Sequence, residues 1–177
     1  MKTREIALLG ESVLRQIAQP IDDATNFAVR ELAQTMLLTL EDSGGVGLAA
    51  PQIFESKRLI IVASKPTKRY PYAPEMPATV MVNPEFTPLT DTIEKDWEGC
   101  LSIPSIRALV PRYSSIRVCY TDLDGQQLDV DFQDFVARVF QHEYDHLNGL
   151  VYLDRVENNQ DIISEKMFLT LIAGELN

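Results

Sequence analysis

Gln141-His142-Glu143-Tyr144-Asp145-His146 contains both histidines of this 177-residue chain, four residues apart, with a glutamate directly after the first. On a helix that spacing sets both imidazoles on one face, able to grip a single metal ion. Neutral imidazole is a frequent ligand for zinc, iron and nickel, and the adjacent carboxylate is placed to handle the protons of an activated water. The bland alternative is a pair of surface histidines on an amphipathic helix. The same segment sets the middle of the fold. Phe135, Val139 and Phe140 give the helix an apolar flank, Asp134 and Glu143 mark an acidic side, Asp131 is the expected cap, and Asn148-Gly149 ends it.

Upstream, Ser115–Tyr120 and Gln127–Phe132 read as strands, and Asp122-Leu123-Asp124-Gly125 between them predicts an antiparallel hairpin. Further strands are expected at Arg58–Ser64, a β-branched run typical of a buried strand, and at Thr79–Asn83, closed by Pro84. Two more are expected near Thr92–Trp97 and Ser105–Val110. Leu14 to Pro20 reads as an entry segment. Val29, Leu32, Ala33, Met36 and Leu40 recur at helical spacing between Asn26 and Asp42, with Thr25 as N-cap and Ser43-Gly44-Gly45 as the stop. Prolines at 66, 71, 74 and 77 predict an exposed, irregular loop over Lys65–Ala78. A last helix is expected over Asp161–Leu171. Strands grouped between two helix blocks make the fold class α+β: mostly antiparallel short strands around a central metal-binding helix, with an N-terminal and a C-terminal helix.

With 45% apolar and 24% charged residues, the composition is that of one globular domain, residues 1–177, with a full core. No apolar run is long enough for a transmembrane helix. The formal net charge of −10 argues against nonspecific binding to nucleic acid or to a membrane, both of which favour basic surfaces. Two cysteines make no disulfide scaffold, so a reducing compartment is expected. Met1-Lys2-Thr3-Arg4-Glu5 lacks the apolar stretch of a signal peptide, which predicts a bacterial cytoplasmic protein; an organellar one with its targeting segment removed reads the same.

A catalytic metal usually has three protein ligands and one open position, so the third ligand decides the chemistry. A protease motif elongated past Gly149 needs a histidine where Tyr152 stands, and that version fails. Two candidates stay open. Glu165, 19 residues after His146, suits an endopeptidase that takes a glutamate from the next helix. Upstream, Cys100 in Glu98-Gly99-Cys100-Leu101-Ser102 offers a soft thiolate beside a glycine. Cys119 reads instead as a buried structural thiol on a packed strand.

Three stretches in order, Gly45-Val46-Gly47-Leu48-Ala49-Ala50-Pro51-Gln52, Glu98-Gly99-Cys100-Leu101-Ser102 and Gln141-His142-Glu143-Tyr144-Asp145-His146, resemble the three signature motifs of peptide deformylase. The flanking Leu14-Arg15 and Ile103-Pro104…Arg107-Ala108-Leu109-Val110-Pro111 are also similar to that family. The resemblance implies a hydrolase that removes the N-formyl group from the initiating methionine of new polypeptides and releases formate. It implies Cys100, His142 and His146 as ligands of one divalent ion, usually Fe2+, with Zn2+, Ni2+ or Co2+ able to replace it. Glu143 would be the general base, and the Gln52 amide with the Leu101 backbone N–H would stabilise the oxyanion.

For the substrate, the candidates are Val46, Phe135 and Val139 as an apolar pocket and the backbone near Val46 and Gly47 as a pairing edge. Arg107 is a candidate to stand beside the peptide. Gly45 and Gly47 are expected to shape their loop through positive φ. Arg138, four residues before His142, is expected on the same helical side, Asp145 to pair with an arginine, and Glu98 to orient its surroundings. The implied partners are N-formylmethionyl nascent peptides near the ribosome, met by a monomer. The competing readings are a zinc endopeptidase built on Glu165 and a non-catalytic metal-binding protein; the latter has no use for Glu143.

Overall fold

The computed structural model describes residues 2–67 and 69–175. Helix α1 (Phe27–Ser43) precedes strands β1 (Gly47–Ala49), β2 (Leu59–Ser64) and β3 (Met76–Pro88). Strands β4 (Ile93–Cys100), β5 (Ile103–Tyr113), β6 (Ser115–Thr121) and β7 (Gln127–Gln133) lead into α2 (Asp134–Leu147), and β8 (Ile162–Ser164) leads into α3 (Glu165–Glu175). Every strand pairing is antiparallel. One sheet has the order β1-β2-β3-β6-β7, the other β4-β5-β8. The α+β expectation holds.

Strand β2 explains the first layer. Successive side chains point to opposite faces. Ile60 and Val62 pack with Met81, Ile116, Val118 and Phe140 on the α2 side. Leu59 and Ile61 pack with Ala33, Met36 and Leu40 on the α1 side. A strand covered on both faces reads as a continuous apolar run instead of an alternating one, which is why 58–64 stood out.

The opposite side of α2 is polar yet buried, because it meets the second sheet. Arg138 donates to the carbonyls of Glu94 (2.7 Å) and Val110 (2.6 Å). Gln141 accepts from the N–H of Tyr113 (3.1 Å) and donates to its carbonyl (2.9 Å). Helix α2 therefore lies between the two sheets. Among the described residues no helix is long and apolar enough to cross a membrane.

Several boundaries differ from expectation for local reasons. Asn26, not Thr25, caps α1 by accepting from the Ala28 N–H (2.9 Å), while the Thr25 hydroxyl donates to Asp23 (2.6 Å). Asp131 does not cap α2. Strand β7 runs straight into the helix, and Asp131, opposite Arg117 in the ladder, accepts from two of its guanidinium nitrogens at 2.7 and 2.8 Å. Strand β3 passes through Pro84, because a shift in register between Val82 and Glu85 removes the need for its missing donor. There Asn83 sits at φ +48 and ties itself to the N–H and C=O of Ile21.

The last helix starts at Glu165, since Ile162-Ile163-Ser164 adds a strand to the open edge of β5. Within Lys65–Ala78, Tyr70 is half-buried, Ala73 is buried and β3 already begins at Met76; Lys68 lies outside the described residues. Cys119 is exposed, because Val118 and Tyr120 take the inner face of β6.

Phe140 anchors α2 to the larger sheet. It is fully buried, and its ring meets Phe86 edge-on at 5.8 Å and stacks on Tyr144 at 5.9 Å. Phe140→Ala is expected to lower unfolding free energy by about 3–5 kcal/mol in urea denaturation. A loss under about 1 kcal/mol would show that the helix is held elsewhere.

Candidate active site

The three motifs meet at α2. Cys100 ends β4 and faces Ile103 across the ladder, so Leu101-Ser102 is a two-residue turn that presents the thiol to the helix. Cys100 Sγ lies 3.2 Å from Nε2 of His146. The donor atoms of Cys100, His142 and His146 all fall within 4.8 Å of one another. His142 turns its Nδ1 away, 2.9 Å from Glu98 Oε2, which leaves Nε2 for the cluster. A carboxylate behind an imidazole is the usual arrangement for orienting a metal ligand. One thiolate and two imidazoles form a donor set that zinc, ferrous iron, nickel and cobalt all accept. Three such donors with a cavity in front would leave a fourth position open, as a catalytic metal requires. The residues fit a divalent ion.

Charge is compensated residue by residue. Glu98 accepts from Arg112 through Nε (2.9 Å) and Nη2 (3.0 Å) and from Arg138 through Nη1 (3.0 Å). Burial alone would raise its carboxyl, but the Arg112 guanidinium and His142 hold it well below the usual carboxylate range. Asp145 pairs with arginine as expected, with Arg112 at 2.6 Å and Arg155 at 2.7 Å. Burial would likewise push the Cys100 thiol up, yet the imidazoles of His146 and His142 hold it well below its ordinary value. That favours the thiolate, the form that binds metal.

Glu143 is the exception. It is buried, and its Oε2 has no hydrogen-bond partner. Burial raises its carboxyl to about 7, with His142 and His146 pulling the other way. Gly47 makes room for it: a Cβ there would overlap the Glu143 carboxylate. This corrects the expected role of the loop glycines. Only Gly44 of the three has positive φ, at +63, while Gly47 is needed for close approach and Gly45 lies against Leu40 and Leu101.

The Gln52 side chain does two jobs. Its Oε1 accepts from the Ala49 N–H (2.9 Å), which aims Nε2 at Cys100 Sγ (3.4 Å) and Ser102 Oγ (3.2 Å).

Gln52, Cys100, Leu101, His142 and Glu143 line a cavity of about 630 Å³. Val46, Gly47, Arg107, Phe135 and Val139 line it too, and so does Arg138. His146 is fully buried beside Cys100. Arg107 is buried against Gly99, where its guanidinium fills the space a Cβ would need. Glu165 does not join the donor cluster. Its Oε1 is engaged by Arg107 (2.8 Å) and Arg69 (3.2 Å), so the endopeptidase arrangement is not what this chain builds. Sequence reasoning missed Tyr70, whose ring lies 4.8 Å from Phe135 on the cavity wall. A tyrosine in a proline-rich loop carries no periodic signal. It also missed Tyr152, which is buried and stacks on His142 at 5.8 Å.

The polypeptide deformylase family model matches residues 3–161. Peptide deformylase 2 of a Nostoc species is 45% identical over 95% of this chain and 94% of its own. Peptide deformylase 1 of Nitrosomonas europaea is 43% identical over 88% of each chain. The Met-Ala-Ser-bound crystal structure of class I type b peptide deformylase from Acinetobacter baumannii superposes with a TM-score of 0.84 at 44% identity, covering 87% of this chain and 98% of that one. Motifs, donor geometry and overall match agree, and the chain belongs to the polypeptide deformylase family, whose members remove the N-formyl group from N-terminal methionine.

Proposed function

We propose that the cavity carries out the family reaction on N-formylmethionyl peptides, with Cys100, His142 and His146 holding one divalent ion. The observation that carries these roles is the buried Glu143 carboxyl, its Oε2 without a hydrogen-bond partner, in the cavity that Cys100 and His142 also line. When bound, the ion supplies Lewis acidity that lowers the pKa of water in the site. Glu143, poised near neutrality, takes a proton as the water oxygen attacks the formyl carbon. Charge then collects on the formyl oxygen. Gln52 Nε2 and the Leu101 N–H are the donors to it, and the Ala49–Gln52 bond fixes the amide in advance. Glu143 returns the proton to the amine nitrogen as the C–N bond breaks, releasing formate and a free N-terminus.

Val46, Phe135 and Val139 offer the methionine side chain apolar walls. Strand β1 is an edge strand, so the backbone near Val46 and Gly47 can pair with an extended peptide, and Arg107 stands beside its path. The reading extends to Fe2+ as the native ion, with Zn2+, Ni2+ or Co2+ as replacements. It also extends to a one-domain monomer acting on nascent chains in the cytoplasm, near the ribosome.

Protein purified without air is expected to release formate from formyl-Met-Ala-Ser; no release from fully metallated protein would overturn the reading. Glu143→Gln is expected to lower kcat by about 10²–10⁴-fold while metal content holds. Gly47→Ala is expected to cost roughly a hundredfold by displacing that carboxylate. Cys100→Ser is expected to purify without stoichiometric metal and without activity, as read by elemental analysis and formate release. Retention of both would remove Cys100 from the site.

A further inference from the structure

The C-terminal segment reaches the cavity, and the chemistry above makes no use of it. Strand β8 pairs along Ile106–Ala108 of β5, which starts α3 at the cavity's open side. Glu165 and Leu169, one turn apart, both line the cavity, as does Arg69. All three retain solvent exposure, whereas Gln52, His142 and Glu143 are buried. These residues form the mouth. Phe168 fixes the helix there: its buried ring lies 6.0 Å from that of Trp97 and 5.4 Å from the Arg107 guanidinium carbon.

Among the described residues, Arg69, Arg107 and Glu165 set two cations against one anion at the mouth. Glu165 Oε1 lies 2.8 Å from Arg107 Nη2 and 3.2 Å from Arg69 Nε, so one oxygen serves both guanidinium groups. Arg107 donates from Nη1 to the Tyr70 hydroxyl (2.9 Å), and its Nε is buried without a partner. Loop and helix are thereby joined across the opening through Glu165. An extended peptide advances about 3.3 Å per residue, so a chain leaving the cavity by way of Glu165 and Leu169 would bring the residues beyond its methionine beside this cluster.

We propose that Glu165 determines specificity by keeping the mouth permissive: it compensates Arg69 and Arg107, which would otherwise select acidic residues in the peptide beyond the methionine. This rests on the deformylase reading of the cavity. An enzyme that meets the N-termini of many different chains works best with a mouth of weak charge preference. Without the carboxylate, the charges of two neighbouring guanidinium groups in the cavity lining are left uncompensated beside the passing chain.

The test compares kcat/KM for formyl-Met-Ala-Ser, formyl-Met-Ala-Asp and formyl-Met-Ala-Lys in the metallated wild type, Glu165→Gln and Arg69→Gln. Turnover of the serine peptide by wild type tests the deformylase reading on its own. Glu165→Gln is expected to raise the Asp-to-Lys ratio about tenfold, mainly through KM. That shift should collapse near 1 M salt, where the Debye length is roughly 3 Å. Arg69→Gln is expected to move the ratio the opposite way, towards lysine. If the serine peptide is cleaved and neither variant moves the ratio, Glu165 does not set specificity and the proposal falls. Should Glu165→Gln fail to fold, an unmoved ratio in Arg69→Gln overturns it, and a shift towards lysine supports it.

Discussion

One buried carboxylate joins the two halves of the site. Glu98 projects from β4 and accepts hydrogen bonds from Arg112 of its own sheet and from Arg138 of α2, while it orients the His142 imidazole. Two residues further along the same strand, Cys100 meets His146. The strand that supplies the sulfur thus also sets the orientation of an imidazole in the donor cluster. Ion pairs this deeply buried contribute little net stability against an apolar alternative, because desolvation offsets attraction, yet losing one partner leaves an uncompensated charge. Their effect here is to permit one relative placement of sheet and helix, the one in which the donors converge.

The larger sheet gives that arrangement its rigidity. Helix α2 is pressed between an apolar layer and a polar one, and its two sides obey different rules. On the Phe140 side, packing volume decides what fits. On the Gln141 side, hydrogen-bond geometry decides, down to both backbone groups of Tyr113. A helix held on both sides has little freedom to shift, and a site of this kind tolerates errors of only about half an ångström.

What was legible in the sequence followed from periodicity or from chemistry at fixed spacing. The two histidines, the glutamate between them and the β-branched run 58–64 each carry such a signal, and the structure brings the Cys100, Gln52 and Glu143 motifs to one cavity. Residue-level endings were less legible. Asp131 looked like a cap until a cross-strand arginine claimed it, and Pro84 looked like a stop until a bulge absorbed it. Glu165 was visible only as a carboxylate at a suggestive distance from His146. Its position depends on Ile162–Ser164 joining β5, a long-range pairing that local propensity does not encode. The close approach at Gly47 was hidden for a similar reason: an absent side chain shows its purpose only when the neighbour that fills the space is known.

The convergence of a hairpin thiol and two helical imidazoles has a thermodynamic consequence. Cys100 and His146 are far apart along the chain, so no preformed site exists until β4 and α2 have docked. An ion that binds only the docked form stabilises it by mass action, and its affinity becomes part of the free energy of folding. Metal supply and conformational stability are then one linked quantity, and a substitution that loosens the docking of α2 weakens the grip on the ion even if every donor atom is kept.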